Sequence, residues 1–222
     1  MSSPKRQRAP RGSGEQLREE IIDATTDLLL ETGHAKAVSI RSVSQRVGVT
    51  PPSIYLHFAD KDALLDAVCG RYFEQLDEVM GQVAAEQPTA LERLRAQGLA
   101  YCHFAREHPE LYRIAMMSEG RPGSDVDIAL NSSAFLHIRD SVQSLMDEGG
   151  YPPGDVTAVA LQLWTVAHGV AAIFVSRPYL PFGDPDEFAD RLFGAVCLGG
   201  MVMGRVGADA TPQETVDRLK GL

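Results

Sequence analysis

Apolar residues recur at helical spacing from the first turns of the chain. Leu17, Ile21, Ala24 and Leu28, joined by Ile22 and Leu29, fall on one face of a helix that Gly33 can end in a left-handed cap. Ser13, followed three residues later by Gln16, fits a capping box at its start. Glu19, Asp23, Asp27 and Glu31 succeed one another every four residues on another side. A like-charge row costs about 0.2–0.5 kcal/mol per pair, so it is expected to face solvent and not phosphate.

A second, short helix starts at Ser39, with Val38 and Val43 placed as a hydrophobic staple, Val47 on the same face and Gly48 as the stop. Thr50 can cap again, Pro51 occupies the first helical position, and Val49 with Ile54 repeats the staple. Two short helices joined through Gly48-Val49 form a helix-turn-helix pattern, whose second helix can enter a major groove. At about 100° per residue, Pro51, Ile54 and Phe58 share the inward side, while Pro52 and Leu56 point oppositely with Ser53 and Tyr55 flanking them. That outward side suits thymine methyl groups, so polar base discrimination leans on Ser53 and on Arg41 from the preceding helix. Tyr55, His57 and Lys61 are placed as phosphate contacts, and Asp60 caps a fourth helix.

Charge changes the picture at the two ends. Residues 1–14 carry Lys5, Arg6, Arg8 and Arg11 and no acid, whereas residues 61–222 carry 13 basic against 23 acidic residues, within a net charge of -9. A basic arm can neutralise phosphates and release their counterions. The acidity elsewhere opposes nonspecific coating of nucleic acid, so any DNA contact is local. The chain is 222 residues long, 44% apolar and 23% charged, which is ordinary globular composition. Its three cysteines are too few and too scattered for a disulfide framework or a CxxC zinc site, which points to a reducing cytoplasm.

The run Ser39-Ile-Arg-Ser-Val-Ser-Gln-Arg-Val-Gly-Val-Thr-Pro-Pro-Ser-Ile-Tyr-Leu-His-Phe-Ala-Asp-Lys-Asp-Ala-Leu-Leu, ending at Leu65, resembles the N-terminal domain of TetR-type transcriptional regulators. The resemblance extends back through Ala24, Leu28 and Gly33 and covers about the first 70 residues. Pro52 replaces a glycine common in that family and removes a backbone donor at the groove. The resemblance implies operator contacts from Arg41, Thr50, Pro51, Pro52, Ser53, Tyr55, Leu56, His57 and Lys61; Ser39 at the start of the same helix pair and, from their charge, Lys5, Arg6, Arg8 and Arg11 as arm contacts complete the candidate DNA-binding residues. Ile54 and Phe58 are assigned to the core; Arg46 is open between DNA and an ion pair with an acidic neighbour.

Beyond Lys61 the pattern predicts a helix to about Gln82, a break at Glu86-Gln-Pro88, a helix to about Glu107 and a short one from Pro109. A Gly/Pro loop over Ser118 to Asp125 precedes a helix from Ile128 to Met146, a turn at Gly149 to Gly154, and helices over Val156 to Ser176 and Asp184 to Val206. No strand pattern appears, so the fold class is all-α: an arm (1–14), a three-helix helix-turn-helix domain (15–62, recognition helix about 50–57) and a C-terminal domain (63–222). Val156 to Ser176 contains no Asp, Glu, Lys or Arg and is long enough to span a bilayer, but Gln162, Thr165 and His168 favour a buried soluble helix. A membrane-tethered regulator is the competing reading.

Trp164-Thr-Val-Ala-His168-Gly169 is similar to the C-terminal type of TetR regulator marked by a Trp…His-Gly motif, which implies ligand binding and a four-helix homodimer core. Gly194, Gly199, Gly200 and Gly204 are expected to allow a partner helix close approach. A cavity among the central helices is expected to draw on Tyr101, Phe104, Tyr112, Met116, Met117, Phe135, Met146, Trp164, His168 and Phe174. Cys102, His103 and His108 lack metal-site spacing, and no nucleophile elbow, Walker loop or dinucleotide fingerprint is found. No catalysis, metal or cofactor is expected. The resemblance implies a homodimer on double-stranded operator DNA, most often a repressor released by a small apolar or aromatic effector. The alternative is a DNA-localised enzyme or a constitutive assembly module without inducer.

Overall fold

The computed structural model describes residues 13–117, 133–207 and 210–221, and its regular structure there is helical, with no strand among the described residues. The Gly/Pro loop over Ser118 to Asp125 and the arm residues Lys5, Arg6, Arg8 and Arg11 lie outside the described residues. Two compact units are formed. The first runs up to Tyr72 and includes the segment beginning at Glu110; the second takes Phe73–Pro109 and the residues that follow Glu119.

In the first unit, α1 (Ser13–Thr32) packs on α2 (Ile40–Val47), which packs on α3 (Pro51–Tyr55). The beginning of α4 (Lys61–Ala85) and most of α6 (Pro109–Met117) complete it. The apolar face of α1 delivers Ile21, Ile22 and Leu29 to a core shared with Val43, Ile54, Phe58 and Leu64. Gly33 and Gly48 end α1 and α2 with φ of 74° and 75°, the left-handed conformation that glycine adopts without a Cβ penalty. Ser39 and Ser42 exchange hydrogen bonds in a capping box, and Val38 is buried beneath it.

The acidic row of α1 faces solvent as expected, with Asp23, Asp27 and Glu31 exposed and Glu19 half-buried, and it also carries ion pairs. Arg71 of α4 pairs with both Glu19 and Asp23, and Arg46 of α2 pairs with Glu31. The four-residue interval stacks these carboxylates on one face, so one guanidinium fork spans two of them. Arg46 therefore resolves to the ion-pair alternative, and its guanidinium holds the Glu31 carboxyl below the ordinary range.

In the second unit, α5 (Ala90–Glu107) is central and packs against α7 (Ser133–Asp147), α8 (Val156–Ser176) and α9 (Pro185–Val206). Thr89, Asp155 and Asp184 cap α5, α8 and α9 through their side-chain oxygens. A further helix, α10 (Pro212–Leu219), was not expected from the sequence, although the Thr211–Glu214 capping box that starts it is legible there. Only a third of the apolar window of α8 is buried. Its Ala158, Gln162, Thr165, Gly169, Ile173 and Ser176 form an exposed, uncharged stripe recurring every three or four residues.

Two of the four α9 glycines serve this chain and not a partner helix. A Cβ at Gly204 would lie 2.5 Å from Pro152 Cδ, and one at Gly200 would lie 3.1 Å from the Tyr151 ring, so both admit the turn after α7. Gly194 and Gly199 meet nothing within 4 Å. The Tyr151 hydroxyl donates to the Cys197 carbonyl at 3.0 Å inside this joint. Tyr151→Phe is expected to remove about 1 kcal/mol of stability, which lowers the melting temperature of a chain this size by about 2–4 °C in calorimetry.

Candidate nucleic-acid interface and interior cavity

The corner between α2 and α3 is built around Ile54 and Phe58, 0% and 4% exposed, with the Arg18 guanidinium 5.4 Å from the Phe58 ring centroid. Everything that these two side chains anchor points away from them. Tyr55 is 53% and Leu56 84% exposed, Arg41, Thr50 and Pro52 are exposed, and Ser53 and His57 are half-buried. Pro51 is exposed, against the expectation that it shares the inward side. Pro51 opens α3 at its exposed end, while the inward side is filled by Ile54 within the helix and by Phe58 beyond its C-cap. α3 ends at Tyr55, with Leu56 as its C-cap, and the N–H groups of His57 and Phe58 both donate to the Ile54 carbonyl.

Thr50 stands at the N-cap of α3, but its hydroxyl makes no capping bond. Pro51 and Pro52 have no N–H to offer, and the Ser53 N–H donates to the Thr50 carbonyl at 2.9 Å, so the Thr50 hydroxyl pairs with Ser53 Oγ at 3.0 Å. These hydroxyls are fixed beside the exposed Pro52. Lys61 is half-buried, and its ammonium donates to the Ala35 carbonyl, which ties the start of α4 to the short turn Ala35–Ala37. Ser39 is exposed and occupied in its capping box.

Within the second unit, α5 and α7–α9 line a partly open apolar cavity of about 30 Å³. Leu94 and Gly98 line it from α5, Ile138 from α7, Leu163, Val166 and Ala167 from α8, and Phe193, Val196 and Cys197 from α9. Gly98 lets the Phe193 ring lie against the α5 backbone, since a Cβ there would be 3.0 Å from its Cδ2 and Cε2 atoms. Burial pushes the Cys197 thiol up in pKa and that of Cys102 to about 12, so both are neutral thiols.

None of the ten expected effector residues lines this cavity. Tyr112 and Met116 fall in the first unit, Tyr112 fully buried. The side chain of Met117 lies outside the described residues. Phe174 belongs to an aromatic cluster with Phe182 and Phe188 at the end of α8, under the Arg106 guanidinium. Phe104 is buried against His108, Phe135 is buried in α7, and Met146 is half-buried. Tyr101, Trp164 and His168 are brought together outside the lining, Trp164 and His168 next to the lining residues Leu163 and Ala167 and Tyr101 three positions beyond Gly98. His168 Nδ1 lies 3.1 Å from the Tyr101 hydroxyl, and the Trp164 ring stacks on the imidazole at 5.0 Å. Desolvation lowers the His168 pKa, so its neutral form prevails near neutral pH.

Sequence reasoning passed over Gly98, Phe193 and a buried polar neighbour, Gln97. The signal was available: Leu94, Gln97, Tyr101 and Cys102 follow core spacing, and a glutamine at such a position is anomalous.

Residues 21–68 match the profile of bacterial regulatory proteins of the tetR family, and residues 94–196 match that of the tetracyclin repressor-like C-terminal domain. The HTH-type transcriptional regulator EthR of Mycobacterium tuberculosis is 33% identical over 188 residues, covering 81% of this chain and 86% of EthR. The nucleoid occlusion factor SlmA of Vibrio cholerae is 27% identical over 182 residues, covering 77% of this chain and 91% of SlmA. Among solved structures, a Rhodococcus sp. RHA1 protein of unknown function superposes with a TM-score of 0.74 at 25% identity, covering 88% of this chain and all of that one. The regulator FadR of Bacillus subtilis, solved with stearoyl-CoA, gives 0.67 at 17% identity, covering 82% and 98% of the two chains.

Proposed function

The chain belongs to the TetR family of bacterial transcriptional regulators, and from that premise we propose that it acts as a homodimeric repressor whose α2–α3 corner grips a two-fold operator and lets go when a small effector fills the second unit. The observation that carries the reading is the exposed edge of α3. Leu56 is 84% exposed beside a 53% exposed Tyr55, on a segment whose inner side is fully buried. An apolar side chain held out this way meets thymine methyl groups in a major groove, and Pro52 adds to the same surface.

Arg41, exposed on α2, is the donor for a base edge; Tyr55, His57 and Lys61 address phosphates and set the register, helped by Ser39, Thr50, Pro51 and Ser53 and by the arm residues Lys5, Arg6, Arg8 and Arg11. The Lys61 ammonium already donates to the Ala35 carbonyl and keeps two further donors for a phosphate. The uncharged stripe of α8 and the open Gly194 and Gly199 positions of α9 supply the face for a second copy. Two recognition helices must sit about 34–36 Å apart to enter successive major grooves. α4 continues from the first unit into the second, so an effector that prefers the wrong spacing has a covalent route to the head.

The test uses the operator footprinted upstream of the protein's own gene. At fixed salt, Tyr55→Ala and Lys61→Ala are expected to weaken binding to operator and unrelated duplex alike, and Lys61→Ala to reduce the salt slope by about 1. Arg41→Ala is expected to lose about 1–3 kcal/mol at one base position and to relax the preference there. Unchanged operator affinity in all three variants would falsify the assignment.

A further inference from the structure

We propose that the outward edge of α3 reads the C5-methyl groups of pyrimidines and not their hydrogen-bonding groups, so that Leu56 and Pro52 accept 5-methylcytosine in place of thymine and the protein's grip on DNA responds to cytosine methylation. This rests on the operator reading above and deepens it; it needs neither the effector nor the cavity. Pro52 and Leu56 are four positions apart, about 40° round a helix, and Leu56 keeps right-handed helical backbone angles at the C-cap. Both are exposed, Leu56 to 84%, with Pro51 and Tyr55 exposed beside them. Ile54 and Phe58, buried on the opposite side, keep this edge turned outward.

A helix N-terminus ordinarily presents unpaired N–H groups that acceptors can use. Here the first two positions are prolines, so the first N–H is that of Ser53, and it already donates to the Thr50 carbonyl at 2.9 Å. One of the two hydroxyl hydrogens of Thr50 and Ser53 is spent between them, their oxygens lying 3.0 Å apart. Ser53 and Tyr55 stand about 80° to either side of the Pro52–Leu56 line. What meets a base pair head-on is therefore hydrocarbon. In the major groove thymine offers an O4 acceptor where cytosine offers an N4 donor, a difference that hydrocarbon cannot register through hydrogen bonds. A methyl group at C5 is apolar surface that Leu56 and Pro52 can cover and so remove from water. Methylation of cosine's parent base, cytosine, supplies that surface at the same ring position as in thymine.

Fluorescence anisotropy of the full-length protein on its footprinted operator tests this, with each thymine replaced in turn by uracil, which lacks only the methyl group, and each thymine–adenine pair replaced by 5-methylcytosine–guanine or by cytosine–guanine. At one or two thymines of each half-site, uracil is expected to weaken binding about fourfold, the equivalent of one buried methyl group. At the same places 5-methylcytosine is expected to bind within about twofold of thymine, and plain cytosine to fall with uracil. Leu56→Ser changes a side chain too exposed to bear on the core. It is expected to abolish the uracil penalty at one of these thymines while leaving affinity for unrelated duplex, which phosphate contacts supply, within about twofold. Uracil tolerated at every thymine, 5-methylcytosine binding as weakly as cytosine, or an undiminished uracil penalty in Leu56→Ser overturns the proposal. The native ranking of the four duplexes decides alone should Leu56→Ser bind too weakly to compare. A footprint accompanied by any of the overturning results leaves the operator reading standing; the absence of a footprint on any duplex overturns the operator reading and this proposal together.

Discussion

Phe58→Ala is expected to abolish operator binding while leaving every proposed DNA contact in the sequence. Phe58 is 4% exposed and closes the small core under α3 together with Ile54 and Val43, and its ring carries the Arg18 guanidinium. Truncating a buried phenylalanine typically costs about 3–5 kcal/mol, a large part of the about 5–15 kcal/mol that holds a whole domain together. A five-residue helix with prolines at its first two positions has almost no intrinsic stability of its own, so it depends on that core for its orientation. Phe58→Leu keeps most of the volume and is expected to cost under about 1.5 kcal/mol and to retain operator binding. The measurements are operator retention in gel shift and the urea midpoint by far-ultraviolet circular dichroism. Wild-type retention by Phe58→Ala would show that α3 is not held in place by this core.

The head was legible because its stability is written locally. Gly33 and Gly48 as left-handed stops, Ser39 as a cap and Val38 with Val43 as a staple each act within one helical turn, and each takes its expected place. Departures arose where a residue had two partners to choose from. Thr50 takes the N-cap position as expected, yet the two prolines after it leave only the Ser53 N–H, which goes to the Thr50 carbonyl, so its hydroxyl makes no capping bond. Glu19 and Asp23 lie on the solvent side as expected, yet an arginine about fifty positions away in the sequence also reaches both, a pairing no local pattern shows. The cavity was the least legible part for a related reason. Aromatic and methionine content selects bulky residues, whereas a cavity forms where bulk is missing, at Gly98, and which ring lies over that gap is set by a helix crossing between α5 and α9.

That crossing yields the second large effect, which is expected at Gly98. Gly98→Ala places a methyl group 3.0 Å from Phe193 Cδ2 and Cε2, closer than carbon atoms settle, so one of the two must give way. The ring is the far end of a side chain that already borders open space, and it can swing into the cavity. Two energies then oppose each other: the displaced ring loses contacts, while alanine in a helix interior gains about 0.8–1.0 kcal/mol over glycine. Net stability is expected to stay within about 1 kcal/mol of the native protein on these terms. Effector capacity follows a different balance, because the methyl group pushes the ring toward a cavity of only about 30 Å³, where a small shift takes up space a ligand needs. The expected result is an uninducible repressor: operator affinity unchanged, and inducer affinity in isothermal titration reduced at least about tenfold, or about 1.4 kcal/mol. A larger side chain at the same place, in Gly98→Leu, adds strain of about 1–3 kcal/mol and confounds the reading, which makes alanine the sharper variant. Inducer bound by Gly98→Ala as tightly as by the native protein would move the effector out of this cavity altogether.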